Sequence, residues 1–112
     1  MTVVYHELLP ESYLLVLAPG QRRDEPETAL AQGLQRASRS GRSAVWVDCS
    51  LLESLSPEAA MLFWAYHHQL QRKRVRLVLV HVADSIREQL LSKTSAPGPR
   101  MVPTLLDAVG AA

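Results

Sequence analysis

Residues 43–70 constrain this chain more than any other stretch. They run from a β-forming triplet, Val45, Trp46 and Val47, through a short loop over residues 51–55, to a helix with an explicit start signal. Ser56 is suited to be the N-cap, because its hydroxyl can accept a bond from a backbone N–H one turn in. Pro57 follows at the first helical position, where its missing N–H costs nothing. Glu58 places a negative charge in the first turn, where the helix dipole favours it. Ala59, Ala60, Met61 and Leu62 are good helix formers. The loop therefore delivers Ser56 to a helix N-terminus at the end of a strand, a place where parallel sheets carry function more often than average.

The remaining segments fall into order around this unit. Residues 2–9 form a first strand on Val3, Val4 and Tyr5, and residues 13–17 a second apolar strand. The turn at Pro10, Glu11 and Ser12 is so short that the two should pair antiparallel as a hairpin. A helix over residues 26–37 carries Ala29, Leu30, Gly33, Leu34 and Ala37 at helical spacing. The strand 44–49 and the capped helix 57–72 come next, then the Val-rich strand 75–82. Asp84 or Ser85 caps a helix with Ile86, Leu90 and Leu91 on one face. Met101 and Val102 make a last short strand, and Thr104 to Asp107 has capping-box spacing for a final helix. Alternating strands and helices after one hairpin predict an α/β domain with a mixed, mostly parallel sheet of four to five strands and about four helices.

A chain of 112 residues is one domain, residues 1–112, and buries a core without staples. The single cysteine, Cys49, excludes an internal disulfide and fits a reducing compartment. Glu7, Pro10 and Glu11 interrupt the N-terminal apolar residues as no signal peptide would tolerate, and no apolar run reaches membrane-spanning length. A cytoplasmic protein is expected. The net charge of +1 shows no basic excess of the kind nucleic-acid binders carry, so no nucleic-acid partner and no direct membrane insertion are expected.

Candidate chemical groups have simpler structural roles. Cys49 has no base tied to it by a motif and is expected to be buried. His67 and His68 are adjacent on a helix and point about 100° apart, so they do not readily share a metal ion. His6 and His81 lie on other elements, and no zinc-like ligand spacing occurs. No metal site and no cofactor are expected. The basic run from Arg72 to Arg76 suits a helix C-terminus, with phosphate or a membrane surface as the sharper reading. The Ser- and Arg-rich residues 38–43 suit a solvated loop. Trp64 and Tyr66 join Trp46 as aromatic residues of interest. If crossovers of one hand place every helix on one sheet face, the other face needs a cover. Trp46 then marks either core packing or an oligomer surface, with a homodimer as one outcome.

The strand, loop, cap and spacing together resemble the STAS domain, the fold of bacterial anti-sigma factor antagonists. The resemblance rests on Val45–Asp48, the loop 51–54, the motif position Leu55, Ser56, Pro57 and Glu58, the helix 59–70, the strand residues Leu77–Val80 and the helix 86–91. It implies the SpoIIAA-like fold and a regulatory, non-catalytic role in signalling and transcription regulation. The family motif reads acid, hydroxyl, hydroxyl, glycine, and a hydroxyl there is phosphorylated by an anti-sigma kinase. Here those positions are Leu55, Ser56, Pro57 and Glu58, so the motif is degenerate. The turn that follows the family's second strand is also loosened, over Gly20 to Asp24. Pro57 removes a donor that would welcome a phosphate, and Glu58 repels a dianion.

The resemblance therefore implies a partner-binding surface at Leu55, Ser56, Pro57 and Glu58. The partner would be an anti-sigma kinase-like factor or a signalling assembly. Ser56 is the candidate phosphosite, but a non-switching domain is expected, with Glu58 as a permanent negative charge. A cytoplasmic subunit of a lipid or anion transport system is the alternative within the family. Small-ligand binding is the alternative outside it, weakened by the lack of a glycine-rich phosphate loop. An enzyme is not expected, because no nucleophile, base and orienting group can be named together.

Overall fold

A computed structural model describes residues 2–20, 27–91, 99–104, 106 and 108. The sequence of elements is β1 (Thr2–Leu8), β2 (Ser12–Pro19), α1 (Thr28–Ser38), β3 (Ala44–Asp48), α2 (Pro57–Arg72), β4 (Arg76–Val80), α3 (Asp84–Leu91) and β5 (Arg100–Val102). The five strands form one sheet in the order of the chain. β1 pairs antiparallel with β2, Tyr5 opposite Val16, and every later neighbour is parallel. This is the mixed, mostly parallel α/β architecture that the pattern predicts, with five strands.

Strand order without a jump and crossovers of a single hand put α1, α2 and α3 on one face. The main core lies there. Leu15 and Leu17 of β2, Val45 and Val47 of β3, and Leu77 and Leu79 of β4 alternate toward Leu30 and Leu34 of α1, Phe63 and Leu70 of α2, and Ile86 and Leu90 of α3. Other residues of these strands face away: Val78 and Val80 of β4 form a smaller cluster with Ala108, and Trp46 and Val102 pack against it. Ala108, beyond β5, thus packs onto the helix-free face.

Several boundaries differ from the sequence expectation. The strand expected over residues 75–82 is shorter because His81 takes a positive φ of 54°, which ends the extended run. Cys49 lies beyond β3, although its N–H still donates to the Val80 carbonyl at 2.9 Å. The second strand is longer, because pairing with β1 on one side and β3 on the other continues past its apolar residues. α1 starts at Thr28, while Pro26 and the loosened turn over residues 21–24 lie outside the described residues. Among the described residues three helices are delimited, against the expected four or so. Leu106 and Ala108 are helical, and the Ala108 N–H donates to the Thr104 carbonyl at 3.1 Å. The rest of the expected final helix lies outside the described residues.

Candidate functional site

The site is built at the carboxyl end of β3, where the chain turns from strand to helix. Asp48 closes the first turn, its Oδ1 accepting from the Ser50 N–H at 2.9 Å. The Leu52 N–H donates to the Cys49 carbonyl at 3.0 Å and tightens the next. Leu52 and Leu55 bury their side chains in the main core and anchor the loop from below. Ser56 then caps α2 as its residue type dictates: its Oγ accepts from the Ala59 N–H at 3.0 Å. Pro57 and Glu58 occupy the first turn.

Three contacts from distant elements hold this loop. The Gln89 carboxamide of α3 takes both polar groups of the Leu55 residue: its Oε1 accepts from the Leu55 N–H at 3.0 Å, and its Nε2 donates to the Leu55 carbonyl at 2.8 Å. Ser85 donates its hydroxyl to the Glu53 carbonyl. It lies within α3 and fastens the loop, while α3 itself begins at Asp84. Glu58 reaches the other way, its Oε2 accepting from the Glu27 N–H at 3.2 Å. Glu27 is the N-cap residue of α1 and makes no side-chain capping bond of its own there. The carboxylate of α2 therefore serves the start of α1, where a negative charge complements the dipole.

Of the four expected surface residues, Pro57 and Glu58 are exposed, Ser56 is half-buried, and Leu55 turns its side chain into the core. Two apolar residues that sequence reasoning did not assign flank them in the open: Leu51 is 57% and Met61 65% exposed. The signal for Met61 was present in its position three and four residues after Glu58 and Pro57, on the same helical side.

The remaining candidates lie elsewhere. Cys49 is buried beside the loop, and that burial, helped by the Asp48 charge, pushes its thiol up to about 12. It stays a protonated thiol at neutral pH and is no nucleophile. His67 and His68 hold their ring centroids 5.2 Å apart, and His68 stacks on Trp64 at 6.0 Å. Among the described residues no group of three or more His, Cys, Asp or Glu is placed to hold a metal. No helix among them is long and apolar enough to cross a membrane. Trp46 is half-buried on the helix-free face. It lines a cavity of about 380 Å³ together with Pro10, Glu11, Ser43, Arg76 and Ala108, at the far end of the sheet from Ser56.

No family model matches the sequence, and a search of curated proteins finds no relative. Solved structures do match. An anti-sigma factor antagonist from Mycobacterium paratuberculosis superposes with a TM-score of 0.81 at 18% identity, over 99% of this chain and 93% of that one. The anti-sigma factor antagonist SpoIIAA in its unphosphorylated form gives 0.74 at 14% identity, over 98% and 100%. RsbS of Moorella thermoacetica, bearing a serine-to-glutamate substitution, gives 0.76 at 10% identity, over 96% and 92%. Hairpin, parallel strands and three same-side helices, matched along nearly the whole length of each, give this chain the STAS-domain fold, that of the anti-sigma factor antagonists.

Proposed function

We infer that the chain is a non-catalytic interaction module that binds a regulatory protein through the start of α2, and that it does so without a phosphorylation switch. The fold supports the first part, because the structural neighbours are anti-sigma factor antagonists. The observation that carries the second is how the groups at the helix start are used. Ser56 Oγ is engaged by the Ala59 N–H, Pro57 offers no N–H, and the Glu58 carboxylate already lies at the neighbouring helix start. A phosphate on Ser56 would meet a negative side chain two residues on and one donor fewer than usual. Glu58 supplies a constant charge instead, with exposed Met61 three residues on along α2 and exposed Leu51 in the preceding loop available for apolar contact. The partner is a kinase-like anti-sigma factor or a component of a signalling assembly.

The test is an affinity capture from the source cells with the unaltered chain and with Glu58→Arg, followed by mass spectrometry of the captured proteins and of Ser56. A regulatory protein retained by the first and lost from the second is the expected outcome, with Ser56 unmodified in both. Phosphate on Ser56 in cells would overturn the non-switching part, and equal capture by both chains would move the surface away from α2.

A further inference from the structure

Opposite the α2 start, at the amino ends of the parallel strands, three connections meet. The Ser43 N–H donates to the Glu11 carbonyl at 3.2 Å, and the Arg76 N–H donates to the Ser43 carbonyl at 3.2 Å. These bonds join the β1–β2 turn, the α1–β3 connection and the α2–β4 connection side by side. Each of the two connections is basic. The end of α1 and its connection carry Arg36, Arg39 and Arg42, and the end of α2 and the start of β4 carry Arg72, Lys73, Arg74 and Arg76. All are exposed except Arg42, which is half-buried and donates its Nε to the Leu9 carbonyl at 2.8 Å.

Among the described residues the carboxylates of this end are Glu7, Glu11 and Glu88 in the last turn of α3, so seven cations face three anions, a surplus of four, in a chain whose net charge is +1. Asp48, Glu53, Glu58 and Asp84 lie at the other end. The cause is geometric. Cations suit helix C-termini, and same-side crossovers point the helices the same way, so the basic ends of α1 and α2 add up to a charged face that the end of α3 does not extend. An apolar tip stands in the same place: Leu8, the last residue of β1, is 60% exposed, and Pro10 beside it is exposed.

The geometry points to this end as a docking surface for an anionic lipid membrane. Charge complementarity sets the sign of the partner. The breadth of the face sets its shape, because the cations sit on separate connections across the end of a molecule 34 × 28 × 25 Å in extent, and a flat anionic surface meets them together. Leu8 and Pro10 decide between a membrane and a dissolved polyanion, since exposed apolar side chains gain from the headgroup boundary and little from a phosphodiester chain. Long Lys and Arg side chains reach such a surface while their stems stay on the protein. Docked this way, the chain holds Ser56 and Glu58 away from the bilayer. This inference does not depend on which partner binds there.

Sedimentation of the purified chain with vesicles tests it, using phosphatidylcholine alone and phosphatidylcholine with one third phosphatidylserine. Binding is expected to the anionic vesicles, at least about tenfold above the neutral ones, and to fall as salt shortens the Debye length. Each cation near such a surface is worth about fivefold in partitioning, so the triple variant Arg39→Glu, Arg72→Glu, Lys73→Glu should bind about a hundredfold more weakly or worse. Arg87→Glu, on α3, should bind as the unaltered chain does. Leu8→Ser should bind a few-fold more weakly with an unchanged salt dependence. Far-UV circular dichroism verifies each fold, and the Gln triple replaces the Glu triple if the latter unfolds. Equal binding to both vesicle types, or a folded triple variant that still binds, would sink the proposal. So would an oligonucleotide that displaces the protein from vesicles at equal phosphate concentration, because the face would then belong to nucleic acid.

Discussion

The two ends of the sheet are held by different mixtures of bonds. At the α2 start, side chains hold backbone: Gln89 grips the Leu55 residue, Ser85 the Glu53 carbonyl, Ser56 the first turn of α2 and Glu58 the start of α1. At the basic end, backbone bonds between connections are joined by two side chains, Ser43 donating its hydroxyl to the Glu11 carbonyl and Arg42 its Nε to the Leu9 carbonyl. α2 closes there with paired bonds from the Val75 N–H to the Leu70 carbonyl and from the Arg74 N–H to the Gln71 carbonyl, with Arg74 in the left-handed region at φ 61°. Apart from Arg42, the long cations of that end are exposed and define the field more than the fold. A loop pinned from two neighbouring elements is preformed, so a partner that binds it loses little to ordering. A ring of flexible cations is suited to a surface with no fixed shape.

That contrast can be broken by mutation. The largest effect is expected from Gln89→Leu, which strands the Leu55 N–H and carbonyl together and should cost about 2 kcal/mol. The amide of Leu55 should also exchange faster than that of Phe63. If denaturant unfolding and Leu55 exchange are both unchanged, the loop is not held as described. Ser56→Ala should cost about 1 kcal/mol through the lost cap, and Ser56→Asp should restore most of it, because Asp also caps. An Asp variant as unstable as the Ala variant would mean that the hydroxyl does something other than capping.

Arg74→Gly should act in the opposite direction at the basic end and stabilise by roughly 0.5–1 kcal/mol, since glycine takes a left-handed φ without a Cβ penalty. A loss of stability there would show that the Arg74 side chain contributes more than charge.

The smallest effect belongs to pH. Burial, with the Arg36 charge adding, holds the His6 imidazole below its ordinary 6.5, while its Nδ1 lies 2.9 Å from the Tyr13 hydroxyl. The folded state therefore binds the proton less readily than the unfolded one. The stability from this group is complete above pH 6.5 and is lost as pH falls from there through the lower folded value. His6→Gln should flatten that part of the stability curve, and an unaltered slope would exclude His6 as its source.

Much of this was legible in advance because the signals are local. A serine cap, a proline at the first helical position and an acid after it act on backbone groups within a turn, and α2 begins at the residue that they imply. The strand and helix alternation implied the sheet, and the apolar periodicity placed Leu30, Leu34, Ile86 and Leu90 in the core. The errors are where tertiary pairing extends or ends an element: β2 runs past its apolar residues because neighbours pair with it, and β4 stops early at His81. Leu55 was assigned to a binding surface by its place in a motif, and the fold turns its side chain into the core, while Leu51 in the loop and Met61 on α2 are exposed.

The sequence by itself determined the strand, the loop and the capped helix, since capping and periodicity are settled among residues a few positions apart. The tertiary structure alone decided what those parts do together. Glu58 meets Glu27 and Gln89 meets Leu55 across separations of 31 and 34 residues. Arginines from two helix ends form one face, and Ala108 covers Val78 and Val80. Such meetings depend on the crossover hand and the strand order, which no neighbouring residue encodes.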